Sequence, residues 1–265
     1  MYLSRIQLSE SIAEYSQLGK LLQSNNYGMH RLLWDLFESN EHGRFLFREE
    51  NSAEQLSTRR SLPLYYVLST TPPRQQSPLF DIQIKSFAPV LQAGETLGFK
   101  LRANPTVARR VPGAKNSRRH DVIMDAKRQF LHAACSQRQL PLSGSKGDLK
   151  AALLAHPDYV GKAGGNRLEN ELKEAIATAD CQWLADRAGK HGFALNALQA
   201  TGYRWNALPE KGRNAGFSSL DYEGLLTVTD PERLVQALKC GIGPAKAFGC
   251  GLMLIRRADL SSADA

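Results

Sequence analysis

The chain has 265 residues, enough for one large or two small domains that each bury a hydrophobic core. It carries 34 Lys and Arg against 26 Asp and Glu, a formal net charge of +8. The four cysteines have no C-x-x-C spacing, which argues against a zinc site and a disulfide framework. No signal peptide and no membrane-length apolar run is evident, which argues against a membrane partner. We therefore expect a reduced, cytoplasmic protein.

The first hundred residues alternate strand and helix patterns. Period-two alternation predicts a strand through about Leu8, and an apolar stripe that includes Leu33 and Leu36 predicts a helix over 27–37. Further strands are predicted at about 44–48, 62–69, 80–87 and 96–102. This order is typical of a ferredoxin-like or RRM-like domain.

A strongly basic segment follows. It runs from Lys100 to Arg119 without an acidic residue, and the rest of the chain is close to neutral. Its basic residues are Lys100, Arg102, Arg109, Arg110, Lys115, Arg118 and Arg119. One-sided charge of this kind indicates a nucleic-acid surface, although a charge run alone more often forms a solvated loop.

The second half also reads as mixed helices and strands. Helices are predicted at 121–138, around 147–154, at 166–189 and at 231–239, and strands at 193–205, 220–228 and 252–255. We therefore predict an α+β fold of tandem ferredoxin-like domains, 1–107 and 108–265. The second contains a basic loop at about 108–120 and a helical insertion of unknown role at about 139–178.

The most informative motif is a glycine-rich loop at 241–251, between the last helix and the last strand. It contains Gly241, Gly243, Gly249 and Gly251, with Lys246 among them. Glycines permit positive φ and a close approach of the backbone to a phosphate. The loop has neither the Walker order nor a G-x-G-x-x-G fingerprint, which disfavours a nucleotide-hydrolysing or dinucleotide-binding enzyme.

Three separated motifs resemble one family. They are Gly241-Ile-Gly-Pro-Ala-Lys246 with Gly249-Cys-Gly251, then Tyr27-Gly-Met-His30, and finally Phe99-Lys-Leu-Arg-Ala-Asn-Pro-Thr106. Together they resemble the CasE family of CRISPR repeat-processing endoribonucleases, which belong to the Cascade complex of subtype I-E. The resemblance covers about 1–135 and 180–257 and leaves the stretch between them uncovered.

The resemblance implies roles for individual residues. It implies that His30, with Tyr27 one helical turn earlier, carries RNA cleavage, whereas an isolated histidine would more often cap or solvate such a turn. It also implies that a basic hairpin and the glycine loop hold the repeat stem-loop. The predicted RNA-binding residues are Arg31, Arg102, Arg109, Arg110, Lys115, Arg118, Arg119, Gly241, Gly243, Lys246, Gly249 and Gly251.

Cleavage of RNA requires little from such a site, because the 2′-hydroxyl is an internal nucleophile. We expect attack by this group without a metal or cofactor, at the 3′ base of the repeat hairpin, to give a 2′,3′-cyclic phosphate. Which of Tyr27 and His30 moves which proton stays open. The alternative is a non-catalytic RNA-hairpin-binding subunit. Tyr203, Trp205 and Phe217 are expected in the core rather than stacked on bases.

Overall fold

The structure of the protein is a computed structural model that describes residues 1–9, 26–37, 45–50, 64–110, 113, 115–208 and 215–258. The chain divides into two units, one formed by Met1–Asn104 with Ala188–Ala265 and the other by Pro105–Arg187. None of the helices in these ranges is long and apolar enough to cross a membrane.

The strands and helices follow the predicted order closely. The strands are β1 (Tyr2–Leu8), β2 (Leu46–Glu50), β3 (Leu64–Ser69), β4 (Phe80–Ser86), β5 (Thr96–Ala103), β6 (Thr106–Arg109), β7 (Arg118–Asp121), β8 (Phe193–Ala207), β9 (Gly216–Val228) and β10 (Met253–Arg257). The helices are α1 (Asn26–Trp34), α2 (Val122–Gln137), α3 (Lys146–Ala155), α4 (Gly161–Ala188) and α5 (Pro231–Cys240).

The first unit contains two four-stranded antiparallel sheets. Their strand orders are β2-β3-β1-β4 and β10-β5-β9-β8. Numbered within each half, both orders read 4-1-3-2 from one edge to the other, which is the ferredoxin-like arrangement. The predicted α+β class, with tandem ferredoxin-like domains and a helical insertion, is confirmed. Residues 70–79 join β3 to β4 without a helix.

The core under the first sheet comes from one face of β1 and one face of α1. Ile6 and Leu8 alternate with more exposed neighbours on β1, while Met29 and Leu33 lie four residues apart on α1. All four are at least 95% buried. Because this stripe faces the sheet, the adjacent His30 lies at the edge of the core.

Strand β5 belongs to the second sheet. It pairs with β9 from Thr96↔Thr227 to Ala103↔Leu220, and β10 pairs along its other edge. The predicted boundary at residue 107 therefore does not separate the two sheets, and the residue bounds of the two domains stay a prediction. The apolar alternation of Leu97, Phe99 and Leu101 fits either sheet, so sequence pattern alone could not choose its partners.

The second unit holds the β6–β7 hairpin and the three helices α2, α3 and α4. Leu131 and Cys135 of α2, Leu149 and Leu153 of α3, and Leu168 of α4 share one buried core. The helices predicted at about 147–154 and 166–189 are both present, the second beginning at Gly161.

Two local contacts connect the hairpin to the helices of its unit. Asp121, at the end of β7, accepts a hydrogen bond from the Met124 amide at 2.7 Å and so caps α2. The Trp183 indole of α4 donates to the carbonyl of Thr106 at 3.1 Å. Both ends of the hairpin are therefore anchored.

Candidate active site and nucleic-acid interface

His30 lies half-buried among aromatic rings. Its imidazole stacks on Phe45, with ring centroids 5.0 Å apart and planes 24° apart. Phe47 and Trp34 lie at 5.8 and 5.7 Å in tilted arrangements. This aromatic cradle (Trp34, Phe45 and Phe47) limits the rotation of the ring, so His30 is neither a helix cap nor a solvated side chain.

The cradle also changes the acidity of the imidazole. Burial lowers the pKa of His30 from its ordinary value of 6.5, because the charged form loses hydration. The neutral imidazole is therefore the main form at neutral pH. A neutral histidine can accept a proton from a hydroxyl, which is the property a general base requires.

The other catalytic candidates lie on the same helix. The backbone of α1 places Tyr27 one turn before His30, but the Tyr27 side chain lies outside the described residues and its role stays a prediction. Arg31 follows His30 and is exposed, so its guanidinium is accessible to a ligand.

The glycine-rich loop adopts the backbone geometry that its composition predicts. Gly241, Gly243, Gly249 and Gly251 have φ of 73°, 84°, 82° and 94°. Ala245 also lies in the left-handed region at φ 60°, where a non-glycine residue costs about 1–2 kcal/mol. The loop is thus held in a strained conformation next to a short 3₁₀ turn, Lys246–Phe248.

Hydrogen bonds close the loop at its base and leave donors at its tip. Ile242 donates to the Gly251 carbonyl at 2.9 Å, and Gly251 donates to the Arg102 carbonyl at 2.7 Å. At the tip, four backbone N–H groups make no backbone hydrogen bond to any residue that the structure describes. These donors belong to Gly243, Ala245, Lys246 and Ala247. Such a row of amides can receive a phosphate.

Phe47 brings the histidine and the glycine loop together. A Cβ added to Gly249 would lie 3.3 Å from Cε2 of Phe47, and the same ring lies 5.8 Å from His30. Helix α1 and strand β2 both contact the 3₁₀ turn of the loop. Two motifs separated by more than two hundred residues of sequence therefore form one site.

Arg102 does not present its guanidinium to this site. It donates to both carboxylate oxygens of Asp221 at 2.9 Å and to the Glu49 carbonyl at 3.2 Å. Arg48 lies 3.3 Å from the same carboxylate and is 5% exposed. Three of its five N–H donors thus bind protein atoms, and the RNA contact predicted for Arg102 stays a prediction.

The remaining basic candidates lie on and around the β6–β7 hairpin of the second unit. Arg109, Arg110, Lys115, Arg118 and Arg119 are all exposed. Arg109 pairs in register with Arg118 and forms an ion pair with Asp125 of α2. Like charges placed opposite each other destabilise a ladder, and Asp125 offsets part of that repulsion here. The exposed Arg110, Arg118 and Arg119 nevertheless suit an anionic ligand.

Sequence reasoning missed the aromatic cradle and misplaced two other aromatic residues. Phe45 and Phe47 gave only a strand signal, since nothing local shows that α1 would pack beside them. Trp205 is 54% exposed and Tyr203 36% exposed, contrary to the prediction that they lie in the core. Phe217 is in the core as predicted, and its ring packs 5.0 Å from Phe248 of the glycine loop.

Comparison with known proteins supplies the family. A model described as "CRISPR associated protein" matches residues 1–257. This chain belongs to that family. Its relatives include the Cascade subunit CasE of Escherichia coli K12, 26% identical over 234 residues, covering 86% of this chain and 89% of that protein. The predicted resemblance to the CasE family is confirmed.

Two further comparisons agree. The CRISPR-associated endoribonuclease Cse3 of Thermus thermophilus is 27% identical over 174 residues, covering 64% of this chain and 60% of that protein. The structure of Thermus thermophilus Cse3 bound to an RNA representing a pre-cleavage complex superposes with a TM-score of 0.61. The match is 22% identical and covers 96% of this chain and 98% of the other. At this identity the likeness establishes the fold.

Proposed function

We propose that this CRISPR-associated protein is an endoribonuclease that cleaves CRISPR precursor RNA at the 3′ base of the repeat stem-loop. The 2′-hydroxyl attacks the adjacent phosphorus without a metal, and a 2′,3′-cyclic phosphate is formed. The protein then stays bound to the mature crRNA as a Cascade subunit. The observation that carries this proposal is the position of Phe47 between His30 and the glycine loop.

His30 is the proposed general base. Because its pKa is lowered, its neutral form is available to remove the proton from the 2′-hydroxyl as the oxygen attacks. Stacking on Phe45 holds the imidazole in one orientation, which favours the in-line geometry that the reaction needs. Tyr27, one helical turn earlier, is the proposed donor or orienting group for the leaving 5′-oxygen.

The glycine loop is the proposed phosphate holder. Its tip amides, with the positive charge of Lys246, would stabilise the extra negative charge of the pentavalent phosphorane. Fixed backbone donors need no reorganisation during the reaction. The strain at Ala245 is consistent with a loop shaped for a ligand.

The β6–β7 hairpin is the proposed stem contact. RNA phosphates bound along the exposed strands would relieve the repulsion between Arg109 and Arg118 further than Asp125 already does. Long side chains on a narrow hairpin also suit the deep groove of A-form RNA near a helix end. The proposed partners are therefore the CRISPR repeat stem-loop and, by analogy with the named relatives, other Cascade subunits.

The test uses 5′-labelled repeat RNA and purified full-length protein in EDTA, with single-turnover measurement of cleavage and mass analysis of the ends. Wild type should cut once and leave a cyclic phosphate. His30→Ala should lose about 10²–10⁴-fold in rate with nearly unchanged affinity. A 2′-deoxy nucleotide before the scissile bond should block cutting but permit binding.

Three results would contradict parts of the proposal. Tight binding without cutting by wild type would identify the chain as the alternative, a non-catalytic RNA-hairpin-binding subunit. Cleavage of the 2′-deoxy substrate would exclude internal attack. Activity that appears only when a divalent metal is added would exclude metal independence.

A further inference from the structure

The β8–β9 hairpin extends past the sheet to which it belongs. Pairing of β9 with β5 ends at Leu220, whereas its pairing with β8 continues to Ala207↔Gly216. Residues 204–207 and 216–219 therefore form a two-stranded extension, which we name the distal arm. A register shift between Thr201 and Arg204 marks its start, and such irregularities redirect a strand.

The distal arm exposes a tryptophan. Trp205 is 54% exposed, and its indole lies over Gly216 of the opposite strand. A Cβ added to Gly216 would come within 2.5 Å of Cζ2 and 2.8 Å of Cε2 of the indole. The same Cβ would lie 2.6 Å from the Asn206 carbonyl oxygen, so both the backbone and the ring require glycine here. The indole is thus supported by the opposite strand while half of its surface stays exposed.

The arm is connected to the proposed cleavage site. Phe217 of the arm packs against Phe248 of the glycine loop, with ring centroids 5.0 Å apart. Phe217 and Trp205 belong to adjacent register pairs, Asn206↔Phe217 and Trp205↔Ser218. The exposed indole is therefore one register step from a residue that contacts the loop, and it projects from the opposite face of the arm.

The chemistry of the arm favours nucleic acid over protein. It contains the exposed Arg204 and no acidic residue, in a chain with a net charge of +8. Arg204 and Trp205 are consecutive strand residues, so their side chains project from opposite faces of the arm. An exposed aromatic plane on such a basic strand suits an unpaired base, which can stack on the ring while the neighbouring phosphates pass the cation. Protein-binding patches are normally apolar and continuous, and this one is neither.

We infer that Trp205 is a stacking site for an unpaired nucleobase that flanks the paired stem of the bound RNA. This inference rests on the proposed function, since it requires the stem-loop to be held at the glycine loop. Stacking would fix the single strand beside the stem, and it would add affinity for flanked RNA without touching the reacting atoms.

Binding assays with cleavage-inactive protein test the inference. In a His30→Ala background, we would measure the affinity for three kinds of RNA. They are a blunt repeat hairpin, the same hairpin with unpaired 5′ and 3′ flanks, and flanked hairpins that carry one abasic nucleotide at each flank position in turn. We expect one abasic position to weaken binding about 5- to 150-fold, the range for loss of one base–aromatic stack.

Substitution of Trp205 should reproduce that loss and abolish the difference between intact and abasic flanks. Trp205→Ala should bind flanked RNA more weakly by the same factor, bind blunt hairpin as before, and no longer distinguish abasic from intact flanks. Trp205→Phe should keep most of the effect. Leu225→Ala removes another exposed apolar side chain from β9 and should change none of these values.

The outcomes separate this inference from the proposed function. The inferred stacking site would be wrong if no abasic position weakens binding, or if Trp205→Ala still binds abasic and intact flanks with different affinity. It would also be wrong if Trp205→Ala weakens binding of the blunt hairpin equally. None of these results would contradict hairpin binding itself. If Trp205→Ala impairs only assembly with protein subunits, the arm is a protein contact instead. If the parent protein does not bind hairpin RNA at all, the proposed function itself fails.

Discussion

The guanidinium of Arg102 binds both carboxylate oxygens of Asp221, with each N···O distance 2.9 Å. The pair joins β5 to β9, and Arg102 also donates to the Glu49 carbonyl of β2. Its own carbonyl accepts from Gly251 at the end of the glycine loop. One residue therefore links the second sheet, the first sheet and the loop.

Removal of Asp221 should cost more stability than removal of Arg102. Asp221→Ala leaves the mostly buried Arg102 without a carboxylate and leaves Arg48 with Glu50 alone, which should lower the free energy of unfolding by up to about 3–5 kcal/mol. Arg102→Ala leaves Asp221 with Arg48 as a partner and should cost less. Urea denaturation of both single variants and the double variant measures the coupling, which we expect at about 1–3 kcal/mol.

A neighbouring ion pair on the same two strands provides the control. Lys100 and Glu223 lie 3.8 Å apart but are more than half exposed, so Lys100→Ala should change the free energy of unfolding by less than about 1 kcal/mol. Equal costs for Lys100→Ala and Arg102→Ala would show that the Arg102 network does not stabilise the junction.

Cleavage should depend on pH through His30. Because burial lowers its pKa below 6.5, the single-turnover rate should rise with pH, reach half its plateau below that value, and stay level through neutrality. Replacement of Phe45 by alanine opens the cradle, so the midpoint should move towards the ordinary histidine value. A rate that falls as pH rises through this range would make His30 a general acid instead.

The basic hairpin should set the salt dependence of RNA binding. Neutralisation of Arg109, Arg110, Arg118 and Arg119 to glutamine should flatten the slope of log affinity against log salt by up to roughly 0.7–0.9 for each phosphate that the protein no longer binds. Filter binding at several salt concentrations measures it. The control neutralises four exposed cations elsewhere, Arg128, Lys162, Lys173 and Lys190, and an equal effect there would mean that only net charge matters.

Glycine substitutions should separate backbone strain from RNA contact. Gly243 and Gly94 have nearly equal positive φ, 84° and 87°, so alanine at either position should lower the free energy of unfolding by about 1–2 kcal/mol. Only Gly243→Ala, in the loop, should weaken hairpin binding. Lys246→Ala should also weaken binding, without the cost in stability.

Gly249 is expected to behave differently from both. Its substitution adds a contact with Phe47 at 3.3 Å, so valine should disturb the cradle and lower the cleavage rate as well as the melting temperature. Binding and cleavage should be compared at temperatures where each variant is folded. If the folded fraction of every loop variant binds and cleaves RNA normally, the glycine loop is only a structural turn.

Asp180 should make the protein less stable as pH rises. Burial and the nearby charge of Asp121 raise its pKa from 3.8 to about 7. Between these values the folded state keeps a proton that the unfolded state has lost, so the free energy of unfolding falls with rising pH through this window. Asp180→Asn should therefore stabilise the protein by roughly 1–3 kcal/mol at about pH 8 and by less at about pH 5.

Denaturation of wild type and variant at both pH values checks this sign. Comparison with wild type cancels the opposite contribution of His30, whose lowered pKa makes stability rise with pH in an overlapping window. Asp186→Asn, at an exposed position on the same helix, should show no such trend. A pH-independent effect of Asp180→Asn would mean that its carboxylate is already charged in the folded state.

The sequence by itself determined what local pattern and backbone chemistry control. Period-two alternation predicted β1 and β5, and an apolar stripe that includes Leu33 predicted α1. The glycines of the 241–251 loop have positive φ, as their composition predicted. These properties depend on neighbours within a few residues. The motifs at His30 and Lys246 also sufficed to indicate the family.

Only the tertiary structure decided which distant residues meet. Phe47 lies between His30 and Gly249, Asp221 binds the guanidinium of Arg102, and Trp205 lies outside the core on an extended hairpin. Each outcome depends on which strands pair and where that pairing ends, and the same apolar alternation is compatible with several partners. The packing of the sheets therefore brings together segments whose local sequence patterns do not predict that they meet in one site.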